Sequence, residues 1–334
     1  MSWQKKAHAA AVVVTVFLLA LILWRVNLPK LVHSFRGIVW VWVIGVLLLN
    51  VANTWLEAFR WRLILSSVKK ETHTLNAFAA MLVGVVGNTV LPFRLGDGAR
   101  AYYLAKREKI AVASSLGTVM LDRVMDVTVF LIMAVLTGFF YHFPRLVERA
   151  GLMAGIAVAV ALIVCIALMI FRRRLEFRWG GKLGSKLVGQ IHRFTMGLSS
   201  LKKAGVLLPA GVLSAFSWGL RAMMVACMFR AFNFELPHIA ALVVLIFTNL
   251  GIAAVSTPAN LGGFELSTLA AFKLFGADTE RALSCAIVFH AVEVVPMVLF
   301  GLLALWISGL SSREILKQKE LSTAHAPQSP GAGR

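Results

Sequence analysis

Charged residues are scarce in this chain of 334 residues. Only 15% of the positions carry a charged side chain, whereas 59% are hydrophobic, and the mean hydropathy is +0.81. A soluble fold of this length could not cover so much apolar surface with so few charges, which excludes the soluble globular classes. The composition therefore predicts an all-α, polytopic membrane protein.

Acidic residues are rarer still. The chain has 15 Asp and Glu against 34 Lys and Arg, which gives a net charge of +19 at pH 7. In a soluble protein this excess would suggest nucleic acid as a partner. In a membrane protein it follows from the enrichment of basic residues in cytoplasmic loops and from their attraction to anionic headgroups. We therefore expect membrane lipids as partners and no nucleic acid.

Cysteine is also rare, and the common catalytic motifs are absent. The three cysteines, Cys165, Cys227 and Cys285, all fall in apolar spans, where they behave as small hydrophobic residues and not as a disulfide or metal set. The chain contains no Walker motif, HExxH, GxSxG or metal-ligand spacing. No cofactor, metal site or soluble-enzyme chemistry is expected.

Long hydrophobic runs, by contrast, are abundant. Six are long enough to cross ~30 Å of hydrocarbon, and they lie near 7–24, 37–57, 113–140, 150–171, 206–229 and 283–307. The first run resembles a signal peptide, but no small-residue cleavage site follows it, so we expect a retained helix. Two further stretches, near 75–93 and 239–275, are interrupted by Pro and Gly. Backbone broken at membrane depth must be buried in protein or line a polar cavity, so these stretches are predicted to be re-entrant or broken helices.

The two interrupted stretches share one pattern: a proline, a glycine four residues later and an acidic residue soon after. The members are Asn88, Pro92, Gly96 and Asp97 in the first stretch and Pro258, Gly262, Gly263 and Glu265 in the second. An ionisable pair follows each stretch in the next apolar span, at Arg123 and Asp126 and at His290 and Glu293. Repeated helix breaks with ionisable groups are typical of a binding site at the interface of two membrane repeats.

The distribution of basic residues predicts an orientation. If the N-terminus is cytoplasmic and each interrupted stretch enters and leaves on one side, most basic residues become cytoplasmic, above all those of the loop 172–205. The two stretches then open to opposite sides, as an inverted repeat with halves of roughly 37–171 and 206–307. Residues 1–310 are predicted to form one domain of the cytoplasmic (inner) membrane, with both termini cytoplasmic, and 311–334 to form a disordered tail.

The loop 172–205 carries a helical pattern of its own. Apolar residues recur at helical spacing with Lys and Arg on the other face, namely Leu183, Leu187, Ile191, Phe194, Leu198 and Leu201. This pattern is typical of an amphipathic helix lying on anionic phospholipid, although a plain cytoplasmic connector fits as well.

Ionisable residues inside the spans need a partner or a role, because a charge at the bilayer centre costs ~2.5–3.5 kcal/mol. Asp122, Arg123 and Asp126 share one helical turn. They form either an internal salt bridge that closes helix packing or an arginine that binds an anion and is held by its own carboxylates. His290 and Glu293 share a helix face and are the pair best suited to protonation, with a plain helix contact as the alternative.

Other polar residues in the spans have simpler predicted roles. Arg221 has no acidic neighbour on its own helix, so it needs a partner elsewhere, with Glu265, Asp126, Glu293 or a lipid phosphate as candidates. Asn50 and Asn53 are expected to form interhelical hydrogen bonds, while snorkelling at the cytoplasmic end explains Glu57 and Arg60. Arg94 and Arg100 offer fork-shaped donors suited to phosphate.

With these residues the chain resembles the flippase-like integral membrane family related to the transmembrane domain of lysylphosphatidylglycerol synthase. The resemblance covers roughly residues 10–308, and it is carried by Asn88, Pro92, Arg94, Gly96, Asp97, Arg100, Asp122, Arg123, Asp126, Pro258, Gly262 and Glu265. The family usually has Glu where this chain has Asp97. It also often has paired glycines directly after the second proline, where this chain has Ala259 and Asn260. Nothing in the sequence resembles the aminoacyl-transferase domain of the bifunctional synthases.

The resemblance implies a transporter and not an enzyme: translocation of an anionic phospholipid or a polyprenyl-phosphate-linked lipid between leaflets. Headgroup binding is predicted for Arg94, Arg100, Arg123 and Arg221. Charge balance or proton coupling is predicted for Asp97, Asp122, Asp126, Glu265, His290 and Glu293. One alternative is a membrane glycosyltransferase that uses a polyprenyl-phosphate sugar, against which residues 25–36 contain no Asp or Glu. Another is a non-transporting scaffold for an envelope-synthesis enzyme.

Overall fold

The computed structural model describes residues 28–90, 95–178, 182–255 and 257–309. The predicted first span, Pro92, Arg94 and the tail 311–334 lie outside these residues. The α-helices are α1 (Leu28–Arg36), α2 (Trp40–Leu65), α3 (Thr74–Val90), α4 (Gly96–Glu108), α5 (Val112–Gly138), α6 (Arg145–Arg178), α7 (Lys182–Gly197), α8 (Ala204–Ala231), α9 (Ile239–Ala254), α10 (Gly263–Lys273) and α11 (Thr279–Ser308). Short 3₁₀ helices cover Leu198–Lys202 and Pro258–Asn260.

Four stretches of the described chain are long and apolar enough to cross a membrane. They are Trp40–Leu65, Arg145–Leu168, Ala204–Ala231 and Thr279–Ser308. The helices α3 and α9 are apolar but shorter, and α5 has the length of a span but carries three ionisable residues in one turn. The described residues form no β-strand. The prediction of an all-α, polytopic membrane protein is confirmed.

The helices α2 and α8 form an antiparallel pair at the centre of the molecule. At one end, the amide of Val39 donates a hydrogen bond to the carbonyl of Ala231 at 2.9 Å. At the other end, the hydroxyl of Ser200, just before α8, donates to the carbonyl of Ile64 at 2.9 Å. Because both ends are fixed, the polar residues of the two helices face each other in the middle.

Two helical hairpins flank this pair. In the first hairpin, formed by α3 and α4, the carboxylate of Glu108 at the end of α4 accepts from Asn76 Nδ2 at 2.6 Å near the start of α3. In the second hairpin, formed by α9 and α10, the Phe272 ring near the end of α10 lies 4.8 Å from the Phe234 ring just before α9. The first hairpin therefore opens near the C-terminal end of α2, and the second opens near the C-terminal end of α8.

Small residues and one side-chain cap let the two helices of each hairpin approach closely. In the first hairpin, Gly96 has no room for a Cβ beside Gly84 and Asn88, and its amide donates to Asn88 Oδ1 at 2.8 Å. In the second, a Cβ on Gly251 would overlap the side chain of Ser267. Close contact through small residues is the usual way in which apolar helices associate in membranes.

The helix predicted in the loop 172–205 is present as α7, and it packs against α5. Phe194, Leu198 and Leu201 from this region lie against the hydrophobic core around the first hairpin, and Gly117 of α5 closely approaches Gly197. Leu198 is therefore buried and Phe194 and Leu201 are half-buried against protein, while His192 and Arg193 remain exposed. The side chains of Leu183 and Leu187 lie outside the described residues.

Candidate functional site

The ion pairs at the centre of the molecule begin with Arg60 of α2, whose side chain is only 2% exposed. Its Nε lies 3.0 Å from Asp122 Oδ1, and its Nη1 lies 2.8 Å from Asp126 Oδ1 and 2.8 Å from Ser214 Oγ. The snorkelling prediction is wrong for Arg60. The predicted span ended at residue 57, whereas α2 continues to Leu65 and keeps Arg60 inside the bundle.

Arg100 of α4 belongs to the same buried group. Its Nη2 lies 3.2 Å from Asp122 Oδ2, and its guanidinium lies over the Trp61 ring at 4.9 Å. Asp122 therefore bridges two arginines that come from different helices. Arg100 is 2% exposed and does not line the central cavity, so we assign it to the stability of the helix packing and not to a headgroup.

Arg123 points the other way and pairs with Asp97 in the first turn of α4. The contact is bidentate, with Nε 2.9 Å from Oδ2 and Nη2 2.7 Å from Oδ1. The prediction that Arg123 is held by the carboxylates of its own helix is wrong, because Arg60 binds both Asp122 and Asp126. The Arg123 side chain is 34% exposed and Asp97 is 23% exposed, so this pair is less buried than the pairs of Arg60 and Arg100.

Arg221 of α8 pairs with Glu57 of α2, its Nη2 lying 2.6 Å from Oε1. The same oxygen accepts a hydrogen bond from Asn53 Nδ2 at 2.9 Å. None of the three acidic partners predicted for Arg221 is therefore correct. Glu57 was missed for the same reason as Arg60: it lies well inside α2 and not at its end. The predicted interhelical role of Asn50 is confirmed, because its Nδ2 donates to the Glu293 carbonyl at 3.0 Å.

A cavity of about 230 Å³ lies between the two hairpins, where α3 approaches the 3₁₀ turn Pro258–Asn260. Val127, Phe130, Ala154, Trp218, Leu250 and Ala253 form its apolar walls. Its polar lining consists of Asn88, Arg123, Asp126, Arg221, Asn249, Thr257 and Asn260. Two arginines from different helices thus face one space, together with the carboxylate of Asp126 and several uncharged hydrogen-bonding groups.

The charges around this cavity balance within the described part of the chain. Four arginines are paired with four carboxylates: Arg60, Arg100, Arg123 and Arg221 with Glu57, Asp97, Asp122 and Asp126. The charges balance, but a hydrogen-bond donor is left over: Arg221 Nε is buried and has no partner among the described residues. A site of this kind holds no strong surplus of positive charge, so an incoming anion must compete with a carboxylate.

A second polar cluster lies at the bend of the second hairpin. His290 Nδ1 of α11 lies 2.6 Å from Glu265 Oε1, and its Nε2 lies 2.9 Å from the carbonyl of Ala259. Glu265 Oε2 accepts from the amide of Gly262 at 2.7 Å. His290 therefore contacts α10 and the bend, and its predicted neighbour Glu293 makes no side-chain ion pair or hydrogen bond within the described residues.

The backbone of this bend is left-handed at two residues that are not glycine. Ala259 has φ 51° and Asn260 has φ 57°. These are the positions at which the resembled family often has paired glycines, which adopt such angles freely. The left-handed conformation costs about 1–2 kcal/mol for an ordinary residue such as alanine, while asparagine tolerates it better. The contact of His290 with the Ala259 carbonyl holds this strained backbone in place.

Glu108 at the open end of the first hairpin lies away from this cavity. Burial alone would raise the pKa of its carboxyl, but hydrogen bonds from Asn76, Lys69 and the amide of His73 outweigh that effect and lower the pKa. Within the residues that the structure describes, no three His, Cys, Asp or Glu side chains are grouped so as to hold a metal ion.

Comparison with known proteins identifies the family of this chain. Residues 8–301 match the family described as the lysylphosphatidylglycerol synthase TM region. The chain belongs to this family and is an integral membrane protein.

Its relatives include proteins called UPF0104 membrane protein in two archaea. One from Methanocaldococcus jannaschii is 23% identical over 94% of this chain and 97% of its own length, and another from the same organism is 24% identical over 69% of this chain and 96% of its own length. A third, from Methanothermobacter thermautotrophicus, is 22% identical over 95% of this chain and its entire length. No solved structure matches this chain.

Proposed function

We propose that this protein is a lipid transporter that moves an anionic lipid between membrane leaflets, with the headgroup bound between Arg123 and Arg221. The observation that carries the proposal is that these two arginines, from α5 and α8, face one central cavity. Planar guanidinium groups match the oxygens of a phosphate. The apolar walls of the same cavity suit the part of the lipid next to its phosphate.

The proposed binding step is an exchange of ion pairs. The bound anion displaces Asp97 from Arg123, or Glu57 from Arg221, and takes over the hydrogen bonds of that carboxylate. Both pairs are partly exposed, unlike the Arg60 and Arg100 pairs behind them. Because free and bound states have similar numbers of charge-assisted bonds, binding is weak enough to be reversible, as transport requires.

The two hairpins supply the proposed route. They open at opposite ends of the α2–α8 pair, and their bends approach each other at the cavity. This arrangement supports treating them as re-entrant elements of an inverted repeat, in which rocking of one half against the other exposes the site to each leaflet in turn. The helices α6, α8 and α11 present many exposed apolar side chains, as expected for surfaces that face lipid.

We further propose that the protein lies in the cytoplasmic (inner) membrane with both termini in the cytoplasm. The basic loop 172–205 then faces anionic headgroups on the cytoplasmic side. The exposed side chain of Arg193 is positioned for that contact. Apolar anchoring of α7 in the lipid surface is not needed, since Phe194 and Leu198 pack against protein.

Lipid binding provides the test. Wild-type protein and variants are purified in mild detergent, and the bound anionic lipid is measured by native mass spectrometry. We expect Arg123→Gln combined with Asp97→Asn to lose bound lipid while keeping its fold, because the double change removes one whole ion pair and leaves no unpaired charge. Arg149→Gln, at an exposed position of α6, is the control for surface charge. Equal lipid retention in the double variant and the control would contradict the proposal.

A further inference from the structure

The hydrogen bonds of His290 constrain where its protons lie. The Ala259 carbonyl only accepts hydrogen bonds, so His290 Nε2, at 2.9 Å from it, must carry a hydrogen. On the other side of the ring, Nδ1 lies 2.6 Å from Glu265 Oε1. The second oxygen of Glu265 already accepts from the Gly262 amide. The only open question at this cluster is therefore what lies between Nδ1 and Oε1.

One proton must lie there. With a proton on the histidine, an imidazolium donates to a carboxylate, and with the proton on the acid, a carboxylic acid donates to a neutral imidazole. Both arrangements are neutral overall and contain the same number of protons. Without that proton, the lone pair of Nδ1 would face a carboxylate oxygen at 2.6 Å, which is a repulsive contact. The observed closed geometry thus requires a shared proton.

We propose that His290 and Glu265 form a proton-binding site that closes the bend of the second hairpin, and that release of the shared proton opens it. The two residues hold this bend from both sides, through the Ala259 carbonyl and the Gly262 amide. Between these two contacts lies Asn260, which lines the central cavity. The proton site itself is defined by the bend alone, and only its effect on transport rests on the proposed function.

The surroundings of the pair favour retention of the proton. His290 and Glu265 are each 5% exposed, and the Phe264 ring is stacked on the imidazole at 4.4 Å. The helices α3 and α9 contain no charged residue. Charged groups facing the pair from other positions are Glu293 on α11 and, further away, the Arg221–Glu57 pair from α8 and α2. Burial disfavours the net negative charge that the pair would carry after loss of the proton.

Amide hydrogen exchange of the bend tests the proposal. The amides of Asn260 and Leu261 are bonded to Thr257 and Pro258, and that of Gly262 to Glu265, so their protection reports closure. Exchange is measured on lipid-free protein in detergent over a series of pH values and corrected for intrinsic exchange. Above the pH at which the proton leaves, we expect protection in the wild type to fall about tenfold per pH unit, as for release of one proton.

Two variants make the result decisive. Glu265→Gln supplies a permanent N–H donor to His290 Nδ1 while its oxygen still accepts from Gly262, so its protection should not change with pH. His290→Ala lacks the contacts of the imidazole with the Ala259 carbonyl and with Glu265. Its bend should exchange rapidly at every pH, with the amides in the middle of α2 as the control for folding. A wild type and Glu265→Gln with the same pH profile would overturn the proposal. So would full protection in His290→Ala. Because no lipid is present, either result is independent of whether the protein moves lipid.

Discussion

Replacing Asp97 by Asn should make the protein bind anionic lipid more tightly. In the free protein Asp97 occupies one edge of the Arg123 guanidinium, where it accepts from Nε at 2.9 Å and from Nη2 at 2.7 Å. If an anionic headgroup must displace this carboxylate, its removal frees the arginine before the lipid arrives. A substitution that deletes an acidic residue from a membrane site would thus improve binding.

The size of the effect follows from the exposure of the pair. Arg123 is 34% exposed and Asp97 is 23% exposed, so the pair lies between an exposed salt bridge, worth 0–1 kcal/mol, and a buried one, whose loss costs about 3–5 kcal/mol. We take ~1–2 kcal/mol, which corresponds to a gain in affinity of about fivefold to thirtyfold. The variant also removes the contact of Arg100 Nε with Asp97 Oδ1 at 3.3 Å, but Arg100 keeps its bond to Asp122, so no buried arginine is left without a carboxylate.

The affinity is measured by titrating a short-chain anionic phospholipid into detergent-solubilised protein. Glu148→Gln, an exposed carboxylate at the start of α6, removes the same charge without touching the cavity and serves as the control. An unchanged or weaker affinity in Asp97→Asn, with its fold intact, would refute the exchange of ion pairs.

Three further predictions concern stability. Arg60→Gln should lower the free energy of unfolding by about 3–5 kcal/mol, because the buried Asp126 loses its arginine partner and Asp122 keeps only Arg100. Arg62→Gln, which loses one hydrogen bond to a threonine hydroxyl, should cost about 1 kcal/mol; equal losses in denaturant titrations would contradict this. Because the pKa of Glu108 is lowered in the folded protein, its stabilisation should be present above the ordinary value of 4.5 and be lost as the pH falls through the lower folded value; a Glu108→Gln variant with the same acid sensitivity as the wild type would disprove it. Ala259→Gly should raise the free energy of unfolding by about 0.5–1 kcal/mol, since relief of the left-handed strain exceeds the added flexibility of the unfolded chain; a lower melting temperature would argue against strain at this bend.

Much of the architecture follows from local sequence patterns. Hydropathy gives the apolar helices, and the Pro and Gly breaks mark the two hairpins, because both signals depend on residues close together in the chain. A charged side chain in an apolar span likewise predicts a binding role for Arg123 and Arg221, and both line the cavity. The two positions after Pro258, where the family often has glycines, agree with that pattern in backbone conformation. Ala259 and Asn260 there adopt the left-handed angles that glycine tolerates.

The pairing of the charges could not be predicted in the same way. A helical period shows which residues share a face, but it does not show which residue of another helix lies opposite. The sequence therefore predicts Asp122 and Asp126 as partners of the arginine beside them, although they bind Arg60 from α2. The predicted end of a span has a larger effect: a span that ends at residue 57 places Glu57 and Arg60 at the membrane surface, whereas the helix continues to Leu65 and keeps both inside the bundle.

Movement of lipid between leaflets is the most direct measurement of the proposed function. The purified protein is reconstituted into vesicles with a fluorescent anionic phospholipid, and the fraction accessible to a membrane-impermeant quencher is followed with time. We expect wild-type protein to expose the lipid of the inner leaflet, and Arg123→Gln combined with Asp97→Asn to lose this activity while Arg149→Gln keeps it. Vesicles in which wild-type protein moves no anionic lipid faster than protein-free vesicles, or in which the double variant moves it as fast as the wild type, would contradict a transport site between Arg123 and Arg221.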